Sequence, residues 1–190
     1  MKQSQKTSPI CPKCGSHQTT DIVHPPQCVT DIQFYGDEED DFPLVYTRGN
    51  GKYYCMNCKY TWKKYRGKKP YESINKITVC SGGFPGPSFN IDINLQTKQI
   101  DYEQHFSIPS IIKPVITDEE KKWFLEELYK CDFLNWAEIY EQPFVLDGNH
   151  WSIRIELDTH CEIKHGSNHF PQKWSKFCES ISKMSGNEFY

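Results

Sequence analysis

Long apolar runs are missing from this sequence: nothing among its 190 residues approaches the roughly 18 consecutive apolar residues of a membrane span. The first residues, MKQSQKTSPICPKCG, have no apolar h-region, so no secretory signal is expected. The motifs of several large enzyme classes are absent as well. There is no Gly-x-Ser-x-Gly elbow, no P-loop and no dinucleotide fingerprint. Gly82-Gly-Phe-Pro-Gly-Pro87 is glycine-rich, but it holds two prolines and no helical pattern follows that could present amides to a phosphate. Leucine is scarce where it would be needed for a core: from Cys11 to Trp62 there is only Leu44. A segment that poor in aliphatic side chains cannot offset its own ordering entropy, and at this size it needs a staple.

The cysteines supply one. Nine of them, an odd count without a signal, point to a reducing compartment and a cytoplasmic protein, where Cys-x-x-Cys means metal or redox chemistry. Cys11-Pro-Lys-Cys14 and Cys55-Met-Asn-Cys58 each carry a two-residue spacer that lets both sulfurs face one ion, so the four thiolates suit a single tetrahedral Zn²⁺. A thioredoxin-like redox pair needs one such motif in a βαβ context, which neither has. A rival tetrad of Cys11, Cys14, His24 and Cys28 would orphan the second pair. Zinc held by four protein ligands has no open position, and its expected role is structural. Cys28, Cys80, Cys131 and Cys178 are isolated; Cys131 and Cys178 fall on apolar helical faces, where cysteine serves as a small hydrophobe.

Charge divides the chain. Residues 1–70 carry 11 Lys/Arg against 7 Asp/Glu and residues 71–190 carry 11 against 18, so the first segment is +4 and the second −7, for a net charge of −3. Two units are expected: a metal-stapled segment over 1–70 and an α+β domain over 71–190. Within the first, the carboxylate run 37–41 reads as a solvated loop in the insertion between the cysteine pairs, lacking the ligand alternation of a calcium loop. Residues 60–70, YTWKKYRGKKP, read as an exit strand and linker.

In the second unit, Ile74–Cys80, Phe89–Leu95 and Gln99–Phe106 alternate as strands, with turn chemistry between the first two. Thr117-Asp-Glu-Glu120 is a capping box opening a helix to about Cys131. Asp147-Gly148 marks a turn before the strand Trp151–Leu157, and Glu162–His165 completes a hairpin. Pro171 opens a last helix bearing Trp174, Phe177, Cys178, Ile181 and Met184 on one stripe. The pattern predicts a small antiparallel sheet with two helices on one face.

The cysteine spacing with Gly15 and Trp62 resembles a zinc ribbon. The resemblance covers about a third of the chain and implies Cys11, Cys14, Cys55 and Cys58 as ligands, Gly15 as the knuckle glycine and Trp62 as the packing aromatic. Lys59 departs from it, standing where many ribbons have a second glycine. The body, about 77–184, resembles uncharacterised small α+β domains of bacterial proteins, on the Gly-Gly…Pro turn, Trp136, Tyr140, Asp147-Gly148, Trp151 and Gly166-Ser-Asn-His-Phe-Pro171. That resemblance brings no activity.

Three functions follow as expectations. The first is a non-enzymatic zinc-binding adaptor with a protein partner, or with nucleic acid held by Lys59, Lys63, Lys64 and Arg66 interleaved with Tyr60 and Trp62, also flanked by Tyr65, Lys68 and Lys69. The second is a metal-dependent hydrolase or nuclease using a second site among His160, His165 and His169, close in sequence to His150, Asp147, Asp158 and Cys161. An HNH arrangement would need a metal-binding histidine on the last helix, which has none, so polar loop residues are the simpler account. The third is a small inhibitor or immunity-type protein whose acidic body masks a basic target. No membrane partner is expected.

Overall fold

The computed structural model describes residues 9–21, 46–48, 52–83, 85–105, 115–142, 145 and 147–190. The acidic run 37–41 and the His24/Cys28 alternative lie outside them. The first described elements are four short strands, β1 (Thr19–Asp21), β2 (Tyr46–Arg48), β3 (Lys52–Cys55) and β4 (Thr61–Lys63), followed by a one-turn helix α1 (Lys69–Glu72). β1, β3 and β4 make an antiparallel three-stranded sheet that carries the cysteine pairs.

The alternating segments build the second sheet. β5 (Ile74–Gly83), β6 (Ser88–Asn94) and β7 (Gln99–His105) form an antiparallel meander, and β9 (Asn149–Leu157) pairs with β5 and with β10 (Cys161–Ser167). Ile77, Val79, Ile91, Ile93, Ile153 and Ile155 are wholly buried on one face. Their strand neighbours Thr78, Asp92 and Arg154 stand on the other, half-buried or exposed, as the two-residue period requires. At Asn75 the register with β9 shifts by one residue. The bulge is held by Leu95 N–H donating to the Asn75 carbonyl at 2.8 Å and by the Asn75 amide donating to Asp158 at 3.0 Å.

Two helices cover the buried face. α2 (Asp118–Lys130) begins with the expected capping box: Glu120 N–H donates to Thr117 Oγ1 at 3.1 Å, and Thr117 N–H to the Glu120 carboxylate at 2.9 Å. α3 (Trp174–Ser185) buries Phe177, Cys178, Ile181 and Met184 and ends at Gly186 in the left-handed region. It starts three residues after Pro171, whose carbonyl instead accepts from Trp174 N–H in a turn. Phe133, Trp136, Trp174 and Phe177 cluster with ring centroids 5.2–6.3 Å apart, Phe133 on Phe177 stacked and the other pairs edge-on or tilted.

Two short strands lie beyond the expected five. β8 (Ile139–Glu141) runs parallel to β10, and β2 pairs antiparallel with β8, so the second sheet has seven strands in the order β2-β8-β10-β9-β5-β6-β7. β2 belongs to the insertion between the cysteine pairs, and thus that insertion contributes a strand to the sheet of the second unit. Among the described residues no helix is long and apolar enough to cross a membrane.

Candidate metal centre and the cleft beside it

The two cysteine pairs are built alike. Gly15 N–H donates to the Cys11 carbonyl and Lys59 N–H to the Cys55 carbonyl, both at 2.9 Å. One residue further on, Cys11 N–H donates to Ser16 and Cys55 N–H to Tyr60, again at 2.9 Å. This closed turn needs a left-handed residue after the second cysteine. Gly15 takes it at φ 70° and Lys59 at φ 59°. The second knuckle therefore keeps its shape without glycine, at a steric cost of about 1–2 kcal/mol.

The four thiols lie within 4.8 Å of one another, with Cys11–Cys58 at 3.7 Å and Cys14–Cys55 at 3.6 Å. A tetrahedral zinc with bonds of about 2.3 Å sets its sulfurs about 3.8 Å apart, so the donor set fits the ion in kind, number and spacing. Crowding also divides the thiols. The backbone at Ser16 draws Cys14 down to about 6, whereas desolvation and the neighbouring thiols push Cys58 up to about 12. A divalent cation held by Cys11, Cys14, Cys55 and Cys58 would remove that conflict by favouring the thiolate at each. Among the described residues the module has little other core: Cys11, Cys55 and Trp62 are buried, with Tyr53 and Cys58 packed against them.

The basic segment after β4 does two different jobs. Lys63 ion-pairs with Asp132, Lys64 with Glu162 at 2.7 Å and Lys68 with Glu126 at 2.7 Å. Tyr65 N–H donates to the Asn135 side chain, which returns a hydrogen bond to the Tyr65 carbonyl, both at 2.9 Å. These contacts fix residues 63–68 to the body, and the Lys63, Lys64 pair expected to meet phosphates is engaged with carboxylates. Lys59 lies over the Tyr54 ring at 5.9 Å, Tyr60 stacks on Trp62 at 6.2 Å, and Arg66 is exposed.

Glu162 is the hub of this attachment. Its carboxylate accepts from Tyr65 Oη at 2.5 Å and from Lys64, lies 3.4 Å from His160, and stands 3.5 Å from Lys164 Nζ. Lys164 is 2% exposed and also donates to the carbonyls of Leu134 and Trp136 at 3.2 and 2.9 Å. Burial alone would raise the Glu162 carboxyl. The Lys164 charge, the hydrogen bonds from Lys64 and Tyr65 and the Lys64 charge outweigh it, and bring the group from 4.5 down to about 2. Burial pushes the Lys164 ammonium down, opposed by Glu162.

The three histidines of the expected second site have separate environments. His160 contacts Tyr65 and Glu162; His165 is exposed on β10; His169 lies beside Tyr140 at 5.4 Å, with burial lowering its pKa. Among the described residues the four cysteines are the one group of three or more side chains close enough to share an ion.

Beside the metal centre, a cleft of about 800 Å³ opens between the module and the body. Lys52, Lys63, Arg66, Lys130, Lys173 and Asp132 line it, together with the rings of Tyr60, Trp62, Tyr65, Tyr71 and Tyr129. Lys52, Tyr129, Lys130 and Lys173 carry no motif and were not among the expected binding residues. Their only trace in the sequence is the Tyr-Lys pair at the end of α2, which repeats the aromatic–basic interleaving of residues 59–66. Comparison with protein-family models, with curated proteins and with solved structures returns no match for this chain.

Proposed function

We propose that this is a non-enzymatic binding protein whose zinc-ribbon module carries one structural Zn²⁺ on Cys11, Cys14, Cys55 and Cys58. The observation that supports the reading is the gathering of four sulfurs within 4.8 Å, which is compatible with one ion held by a protein ligand at every corner. Such an ion has no corner left for water or substrate, and its contribution is to order a segment whose described residues bury almost no other core. The module in turn is tied to the body through Asp132, Glu162, Glu126 and Asn135, so that both units contribute to one surface. A partner that reads this surface reads it only when the metal is in place.

Elemental analysis of the purified full chain tests the reading. One zinc per chain is expected, lost in Cys14→Ser and Cys58→Ser and retained when His160, His165 and His169 are all changed to Ala. A chain without zinc, or a second equivalent that the triple histidine variant removes, would overturn it.

A further inference from the structure

The cleft has a composition unlike the chain around it. Five cations line it against one carboxylate, Asp132, in a protein whose net charge is −3. That carboxylate is already occupied, one oxygen by Lys63 and the other by the Asn135 amide at 2.8 Å. Lys52 and Arg66 make no ion pair among the described residues, and Lys173 donates to the Lys130 carbonyl at 2.6 Å. Lys130 touches Glu127 at 2.7 Å, a pair that Glu127 shares with Lys176 at 3.4 Å. Three to four positive charges are thus available to a ligand. The rings are equally distributed: Tyr60 comes from the module and Tyr129 from the body, exposed by 39% and 36%. Tyr60 stacks on Trp62 and Tyr129 meets Tyr71 edge-on, and a mobile ammonium lies over each ring where a base would replace it, Lys13 at 5.6 Å and Lys68 at 5.5 Å.

We infer that this cleft binds single-stranded nucleic acid, with Lys52, Arg66, Lys130 and Lys173 meeting phosphates and Tyr60 and Tyr129 meeting bases. The inference rests on the zinc-stapled reading above, because β3 and β4 supply one wall. Cations paired with stacking platforms are how single strands are held without regard to sequence. A duplex keeps its bases stacked inside and offers the rings nothing. An acidic peptide would use the cations but leave the rings idle, so the rings decide between the two.

The test is fluorescence anisotropy of labelled single-stranded DNA, single-stranded RNA, duplex DNA and polyglutamate with the zinc-loaded full chain. Neutralising three to four phosphates gives a log–log salt slope of about −2 to −3, a loss of about 20- to 50-fold between 50 and 200 mM salt. Arg66→Gln and Lys52→Gln should each reduce that slope by about 0.7. Tyr129→Ala should weaken binding by about 5-fold or more. Lys183→Gln, outside the cleft, should leave it unchanged. The two single strands show whether the sugar matters.

Failure to bind either strand at 50 mM salt, equal loss in Lys183→Gln, or duplex binding as tight as single-strand binding overturns the inference. Tight polyglutamate binding with Tyr129→Ala silent assigns the cleft to acidic peptides and also overturns it. Zinc measured in the same samples separates the two levels: a metal-free wild type counts against the zinc-stapled reading, whereas a zinc-loaded chain that ignores single strands counts against the cleft alone.

Discussion

Glu162→Gln removes the carboxylate nearest to Lys164 while keeping the shape of the side chain. Lys164 stays 2% exposed, held by two backbone carbonyls that carry no formal charge. Breaking a buried pair from one side costs about 3–5 kcal/mol, because the remaining charge is left without compensation. In a chain of this length each kcal/mol lowers the melting temperature by about 2–4 °C, so a drop of about 6–20 °C is expected in scanning calorimetry. The acid side gives an independent measure. The Glu162 carboxyl titrates lower in the folded chain than in the unfolded one, so its contribution is complete above pH 4.5 and is lost as the pH falls toward about 2. From 4.5 to about 2, at 1.36 kcal/mol per pH unit, that is about 3 kcal/mol, in line with the mutational figure. The quantity to read is the difference between wild type and variant across this window, since thiol protonation acts on both alike. Replacing both partners, Glu162→Leu with Lys164→Met, should recover part of the loss, because the Lys164 charge goes with its counter-charge while Lys64 is left without Glu162. A loss below about 1 kcal/mol, together with parallel acid profiles, would refute the assignment of Glu162 as the counter-charge of the buried Lys164.

Other expectations are smaller and more local. Lys59→Gly relieves the left-handed strain in the second knuckle and should raise zinc-loaded stability by about 0.5–1 kcal/mol, while Gly15→Ala should lower it by a similar amount; denaturant titration at saturating zinc measures both. Thr117→Ala removes one arm of the capping box and should cost about 1 kcal/mol, seen as faster amide exchange in the first turn of α2. Gly166→Ala would place a Cβ 2.4 Å from the indole nitrogen of Trp151, displacing the ring from its bond to the His169 carbonyl. A loss of about 1–3 kcal/mol with a changed tryptophan emission spectrum is expected.

The body was legible where periodicity and capping were strong. β5, β6, β9 and α3 announce themselves by alternation or by a helical stripe, and α2 by Thr117 and Glu120. β8 and β2 were not legible, because each has only three residues and pairs with a strand far away in sequence. Lys164 reads in sequence as an ordinary polar strand residue, and nothing local says that Glu162, Leu134 and Trp136 enclose it. The cysteine cluster was legible because spacing alone constrains where four sulfurs can go. The fate of the lysines was not. Lys63, Lys64 and Lys68 look like a solvated basic run, yet their partners lie roughly 60–100 residues away, and only the tertiary arrangement distinguishes a charge that anchors from one that can bind.

The strand β2 imposes an order of events on a chain leaving the ribosome. All four thiols have emerged by Cys58, so an ion held by them would close its loop early. The strand that lies between the cysteine pairs must then wait for β8, which ends at Glu141, before it has a neighbour. At about 5–20 residues per second, those roughly 80 residues take about 4–16 s to appear. During that interval residues 46–48 have no β8 to pair with.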